Sequence, residues 1–118
     1  MADLNTSSDV IINARREGDV IVIAVRGEID LHNSPGLRTD LLDALNRGMP
    51  KKLILNLAEV PYMDSSAIAV LVEALQKMRK AGGKIYLTNL QPRVKGLLEI
   101  ARLDSIFIVV PTEEDALK

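Results

Sequence analysis

Cysteine is absent from this sequence, and histidine occurs once. The first absence excludes a disulfide framework and thiolate metal sites, and the second leaves no material for a histidine-rich site, so neither a metal nor a cofactor is expected. Tryptophan is missing too, and aromatic residues make up only 3% of the chain. With 47% hydrophobic residues, the core must therefore be built from Leu, Ile, Val and Ala, a composition typical of strands covered by helices. No apolar run approaches the roughly 18–20 residues needed to span a bilayer, and the opening MADLNTSSD has neither a basic nor an apolar signal region. A soluble cytoplasmic protein with no membrane insertion is expected. Neither sign of charge dominates: 15 Lys and Arg against 16 Asp and Glu leave −1, interspersed along the chain. No basic field for nucleic acid follows from such a pattern.

What is present fits one domain, since 118 residues match the commonest domain size. Residues 1–8 read as a flexible polar leader. Two β-branched runs, VIINARR (10–16) and VIVIAVR (20–26), flank Glu17-Gly18-Asp19 and predict a hairpin. The first run has mixed polarity and suits a sheet edge; the second is almost wholly apolar and suits burial on both faces. Ser34 as N-cap with Pro35 behind it, and Gly48 and Pro50 at the far end, bracket a helix whose inner stripe is Leu37, Leu41, Ala44 and Leu45. Residues 52–57 (KLILNL) predict a buried strand, and 65–80 the longest helix, with Ile68, Leu71, Val72, Leu75 and Met78 at helical spacing. Ala81-Gly82-Gly83 stops that helix. A strand at 85–87 follows, then a helix from Pro92 with Val94, Leu97, Leu98 and Ala101 inward, a strand at 106–110 and an acidic helix over 112–117. The order β-β-α-β-α-β-α-β-α implies an α/β fold with a mixed, mainly parallel sheet. Function in such sheets gathers at the loops beyond the carboxyl ends of the strands, here 28–34 and 60–66.

Chemistry concentrates in Asp64-Ser65-Ser66 at the start of the longest helix. Any of the three can cap the unpaired N–H groups there, but two adjacent hydroxyls exceed what one cap needs. Pro61, Tyr62 and Met63 before them suggest a firmly held segment. Ala67, Val70 and Ala74 fall off the Ile68-Leu71-Leu75 stripe, on a face shared with Lys77, and are expected to leave an exposed face for docking. A phosphate on Ser65 adds about −1.5 to −2 charge beside Asp64, where the helix dipole helps to tolerate it. Ser65, His32 and Asp30 also supply the residue types of a hydrolytic triad. Against that, Gly-x-Ser-x-Gly is absent and His32 lies only two residues from Asp30. Residues 80–84 (KAGGK) lack the spacing of a phosphate loop and fit a helix stop.

Gly27-Glu28-Ile29-Asp30 after a hairpin, Leu53-Ile54-Leu55-Asn56-Leu57 leading into Tyr62-Met63-Asp64-Ser65-Ser66, and then Ala81-Gly82-Gly83-Lys84, resemble the STAS domain. More narrowly they are similar to bacterial anti-sigma factor antagonists of the sporulation and general stress type, from about Val10 to Leu117. The resemblance implies a single non-enzymatic domain with helices packed chiefly on one side of the sheet. It implies an unphosphorylated form that binds an ATP-dependent anti-sigma serine kinase and so releases a sigma factor, ending in transcription control. Phosphorylation of the hydroxyl after the Asp, here Ser65 rather than Ser66, ends that binding, and a serine phosphatase of the metal-dependent type restores it. Asp30, His32, Asp64, Ser66, Ala67 and Val70 are then expected near the docking surface. This chain has Ala67-Ile68-Ala69 where the family often has Gly-Leu-Gly, which bears on how closely a partner backbone can approach. The alternative is a stand-alone STAS subunit that regulates a membrane lipid or anion transporter.

Overall fold

The computed structural model describes residues 9–118 in full and the backbone of Ala2–Asp3. The hairpin forms as the sequence predicts: β2 (Ile11–Glu17) and β3 (Val20–Arg26) pair antiparallel about a tight turn in which Gly18 adopts φ 61°. A left-handed residue there favours glycine on steric grounds. The remaining elements are α1 (Ser34–Asn46), β4 (Lys52–Glu59), α2 (Ser65–Lys80), β5 (Lys84–Thr88), α3 (Pro92–Ile100), β6 (Ile108–Val110) and α4 (Glu113–Leu117). β4, β5 and β6 add in parallel to β3, each step crossing through one helix. The leader expected at 1–8 lies outside the described residues except for Ala2–Asp3, which forms β1. Ala2 pairs with Arg16, so β2 is not the free edge its polarity suggested. The sheet runs β1-β2-β3-β4-β5-β6 in space as in sequence.

Alternation along the strands divides the core into two unequal parts. Ile21, Ile23, Leu53, Leu55, Ile85 and Leu87 point into a large cluster closed by α1, α2 and α3. Val22 and Ile54 point the other way, into a small cluster whose lid is Ala116 of α4. Helices therefore pack chiefly on one face, and β3 is buried on both, as its continuous apolar run requires. Polar groups hold α4 down. The Arg15 guanidinium and the Asn56 amide donate to the two oxygens of Glu113 at 3.0 and 2.7 Å, and Lys52 donates to the Ala116 carbonyl at 2.6 Å while its ammonium stands 4.9 Å over the Tyr86 ring. Burial pushes the Glu113 carboxyl upward, but those donors outweigh it and leave the group below the usual glutamate range.

Three local readings need correction. Ser34 is not the cap of α1: Asn33 holds that position, and its side chain is turned back into the loop. Ala101 is exposed at the end of α3 because the helix has already stopped, with Arg102 in a left-handed turn. Ile106 and Phe107 precede β6 in a turn whose N–H groups both donate to the Leu103 carbonyl. The stop of α2 is as expected. Gly82 at φ 78° donates to Arg79 O and Gly83 to Met78 O, the paired bonds of a Schellman motif.

Candidate phosphorylation and docking site

Two loops at the carboxyl end of the sheet are joined before any side chain is considered. β3 ends at Arg26, and Gly27, at φ 81°, sends its N–H to Glu59 O at 2.8 Å. Pairing then resumes for a single parallel bridge between Ile29 and Met63, both fully buried. Ile29 N donates to Tyr62 O at 3.1 Å and Asp64 N to Ile29 O at 3.0 Å. The loop 27–33 is thereby tied to the entry of α2.

Side chains complete the frame. Asp64 is the N-cap of α2, its Oδ1 accepting from Ser66 N at 2.9 Å and Ala67 N at 3.2 Å. Its Oδ2 accepts from Leu31 N at 3.1 Å, which crosses to the other loop. The Ser66 hydroxyl also donates to Asp64 Oδ1, and this bond, with the backbone donors, holds the carboxyl below the usual aspartate range despite some desolvation. The buried Ser34 hydroxyl donates to Ser66 Oγ at 2.9 Å. Ser34, Ser66 and Asp64 thus form one chain running from α1 to α2 to the loop. Ser65 is different: its side chain is exposed, and among the described residues its hydroxyl makes no hydrogen bond.

Asp30 is exposed, and its Oδ1 accepts from the backbone of His32 at 2.9 Å and of Asn33 at 3.3 Å. His32 is exposed, and no hydrogen bond joins its ring to Asp30 or Ser65 among the described residues. The geometric requirement for a nucleophile–base–acid relay is therefore unmet. Tyr62 is half-buried beneath the Arg93 guanidinium, 4.4 Å from its ring, and Gln91 donates to Ala58 O at 2.8 Å, so the approach to α2 is firmly held.

Ala67, Val70 and Ala74 overturn an expectation. All three are buried, at 1%, 6% and 1% exposure, and form the inner face of α2 together with Leu71, Leu75 and Met78. Ala67 offers no surface for a partner, and Val70 contributes only the small part of its side chain that reaches the groove beside it. That groove, of about 320 Å³, is lined by Ser34, Pro35, Arg38, Ser66, Ala69, Val70 and Glu73. Its outer wall is a bidentate pair in which Arg38 donates to Glu73 at 2.7 and 2.8 Å.

The STAS domain family model matches residues 12–116. The chain belongs to the STAS family. Within it, the chain is 28% identical over 106 residues to the anti-sigma-B factor antagonist of Bacillus subtilis, covering 90% of this chain and 95% of that protein. An anti-sigma factor antagonist from Mycobacterium paratuberculosis has a structure similar at TM-score 0.81 and 25% identity, over 96% of each chain. The Bacillus protein SpoIIAA has the same fold in its unphosphorylated form, at TM-score 0.77 and 24% identity, covering 88% of this chain and 90% of that one. Its phosphorylated form does so at 0.70 and 23%, over 88% and 94%. In this STAS domain, sequence reasoning missed Leu31, Asn33 and Ser34 as parts of the site. Leu31 had a signal, being an isolated large apolar residue in a polar loop; the Ser34–Ser66 contact joins residues 32 apart and had none. Among the described residues no helix is long and apolar enough to cross a membrane.

Proposed function

We propose that this STAS domain is an anti-sigma factor antagonist that works by partner switching, with Ser65 as its phosphoacceptor. The observation that carries the choice of residue is the contrast between two neighbouring hydroxyls. Ser66 Oγ is committed on both sides, donating to Asp64 and accepting from Ser34, whereas Ser65 Oγ is exposed and uncommitted. In the reaction, Ser65 Oγ bonds to the γ-phosphorus of ATP held by a serine kinase. The bond to the β,γ-bridging oxygen breaks, ADP departs, and the hydroxyl proton leaves to a base of the kinase.

The product carries about −1.5 to −2 charge at pH 7, next to an Asp64 carboxylate already held ionised. The N-terminus of a 16-residue helix accommodates that charge, and Asp64 already caps its first N–H groups, so the backbone has no cause to rearrange. What changes is the surface offered to the kinase in its second role, as the anti-sigma factor. The neutral form binds it and frees the sigma factor; the phosphorylated form does not, and a metal-dependent serine phosphatase resets the switch by hydrolysis. Such a cycle takes place in the cytoplasm and needs no catalytic group on this chain.

The test is incubation with the anti-sigma serine kinase of the same organism and ATP, followed by mass spectrometry. One phosphate on Ser65 is expected. Ser65→Asp should lose capture of the kinase and Ser65→Ala should keep it. If Ser65 stays unmodified while the protein co-purifies with a membrane permease, the transporter-subunit reading replaces this one.

A further inference from the structure

We infer that Leu31 is the apolar anchor by which the unphosphorylated protein seats on its kinase; the inference rests on the partner-switching reading above. Leu31 is 74% exposed, although it belongs to one of the most closely hydrogen-bonded loops of the molecule. Its own N–H is fixed to Asp64 Oδ2 at 3.1 Å. On one side Asp30 Oδ1 takes the N–H groups of His32 and Asn33, and the Asn33 side chain bridges Asp30 N and Glu28 O at 2.8 and 2.9 Å. On the other, the Ile29–Met63 bridge closes the loop on the segment that leads from β4 into α2. A single exposed leucine ordinarily means little. An exposed leucine on a loop whose backbone is already ordered loses little entropy on binding, which is the property of an interface anchor.

The surroundings select the partner chemistry. Glu28 and Asp30 are exposed on the same loop and Asp64 lies across it, so Leu31 projects from an acidic rim. The complementary surface is an apolar pocket edged by Arg or Lys, and the kinase is the partner placed to supply it. Because Asp64 holds both Leu31 N and the start of α2, the anchor and Ser65 are presented in one fixed relation, and new negative charge on Ser65 falls beside the anchor.

The experiment measures capture of the purified anti-sigma kinase by the full chain, using surface plasmon resonance at low and high salt. Leu31→Asn should weaken binding at least tenfold, mostly through faster dissociation. Leu31→Met should stay within about threefold of wild type, since it conserves apolar volume. Both should melt with the wild type, because the side chain lies in solvent. Binding by Leu31→Asn within threefold of wild type overturns the anchor, as does a wild-type self-association that Leu31→Asn abolishes. Ser65→Asp separates the two ideas: if it binds like wild type while Leu31→Asn does not, the anchor stands and the charge switch falls. If the wild-type chain captures no kinase, both fall.

Discussion

Replacing Ala67 by glycine separates a packing role from a docking role at the position where the family resemblance leads one to expect glycine. The Ala67 methyl is buried, and it lines a small apolar void with Ile29, Leu37, Met63 and Leu71. Removing a buried methyl costs about 0.8 kcal/mol in transfer. Glycine within a helix adds roughly 0.5–1 kcal/mol of backbone entropy. The sum, about 1–2 kcal/mol, corresponds to a melting temperature lower by roughly 4–9 °C in a domain of this size. Thermal unfolding followed by circular dichroism reads the loss, and urea titration checks that the denaturant slope is unchanged. Capture of the kinase at a temperature where both forms are folded should be the same for Ala67→Gly and wild type. An unchanged or raised melting temperature would refute the packing argument. Altered affinity at equal folding would show that position 67 bears on partner approach after all.

Other expectations follow from the same contacts. Glu113→Ala should destabilise the fold by about 1–3 kcal/mol, because it leaves the partly buried Asn56 amide and Arg15 without their acceptor. The Glu113 carboxyl is held below its unfolded value, so its contribution is complete above the ordinary glutamate range and is lost as pH falls through the folded value. Acid titration of Glu113→Gln should therefore show a shallower decline below about pH 4.3 than wild type. Gly83 and Gly96 should respond to alanine with opposite signs. A Cβ on Gly83 meets Met78 Cε at 2.7 Å and the carbonyls of Pro50 and Lys51 at 3.1 Å, whereas one on helical Gly96 meets nothing. Denaturant melts should show a loss of about 1–3 kcal/mol for Gly83→Ala and a gain of roughly 0.4–1 kcal/mol for Gly96→Ala. Ser66→Ala should still take one phosphate, on Ser65, by mass spectrometry of the kinase reaction.

Elements were legible wherever hydrophobic period and punctuation agreed: the hairpin about Gly18 and the paired glycines after α2; the last helix was expected as an acidic one, but its cap proved to be Thr112, whose hydroxyl accepts from Asp115 N at 3.2 Å. The inner face of α2 was misread because periodicity was weighted by side-chain size. Ile68, Leu71 and Leu75 dominate such a sum, yet α2 packs against both the sheet and its neighbour α1, and the small residues Ala67 and Ala74 are buried on that inner face. Ile68 and Val72, at the margins, are only half-buried. Ser65 was singled out as the expected acceptor through the family resemblance, but the contrast between its free hydroxyl and the committed one of Ser66 was not legible. That depends on Ser34 reaching Ser66 across two helices, and sequence carries no marker for a contact of that range.

The single bridge between Ile29 and Met63 also sets how this surface can be re-engineered. Its strand-like backbone bonds fix the height of residues 28–33 relative to residues 62–66, so the two stretches form one cassette split across the chain. Grafting only one of them into a relative would leave Leu31 and Ser65 out of step, however well its own sequence suited the new host. Moving both together, with Ile29 and Met63 as the retained seam, should transfer partner choice as a unit, and drift at one loop should be tolerated only when the other drifts with it.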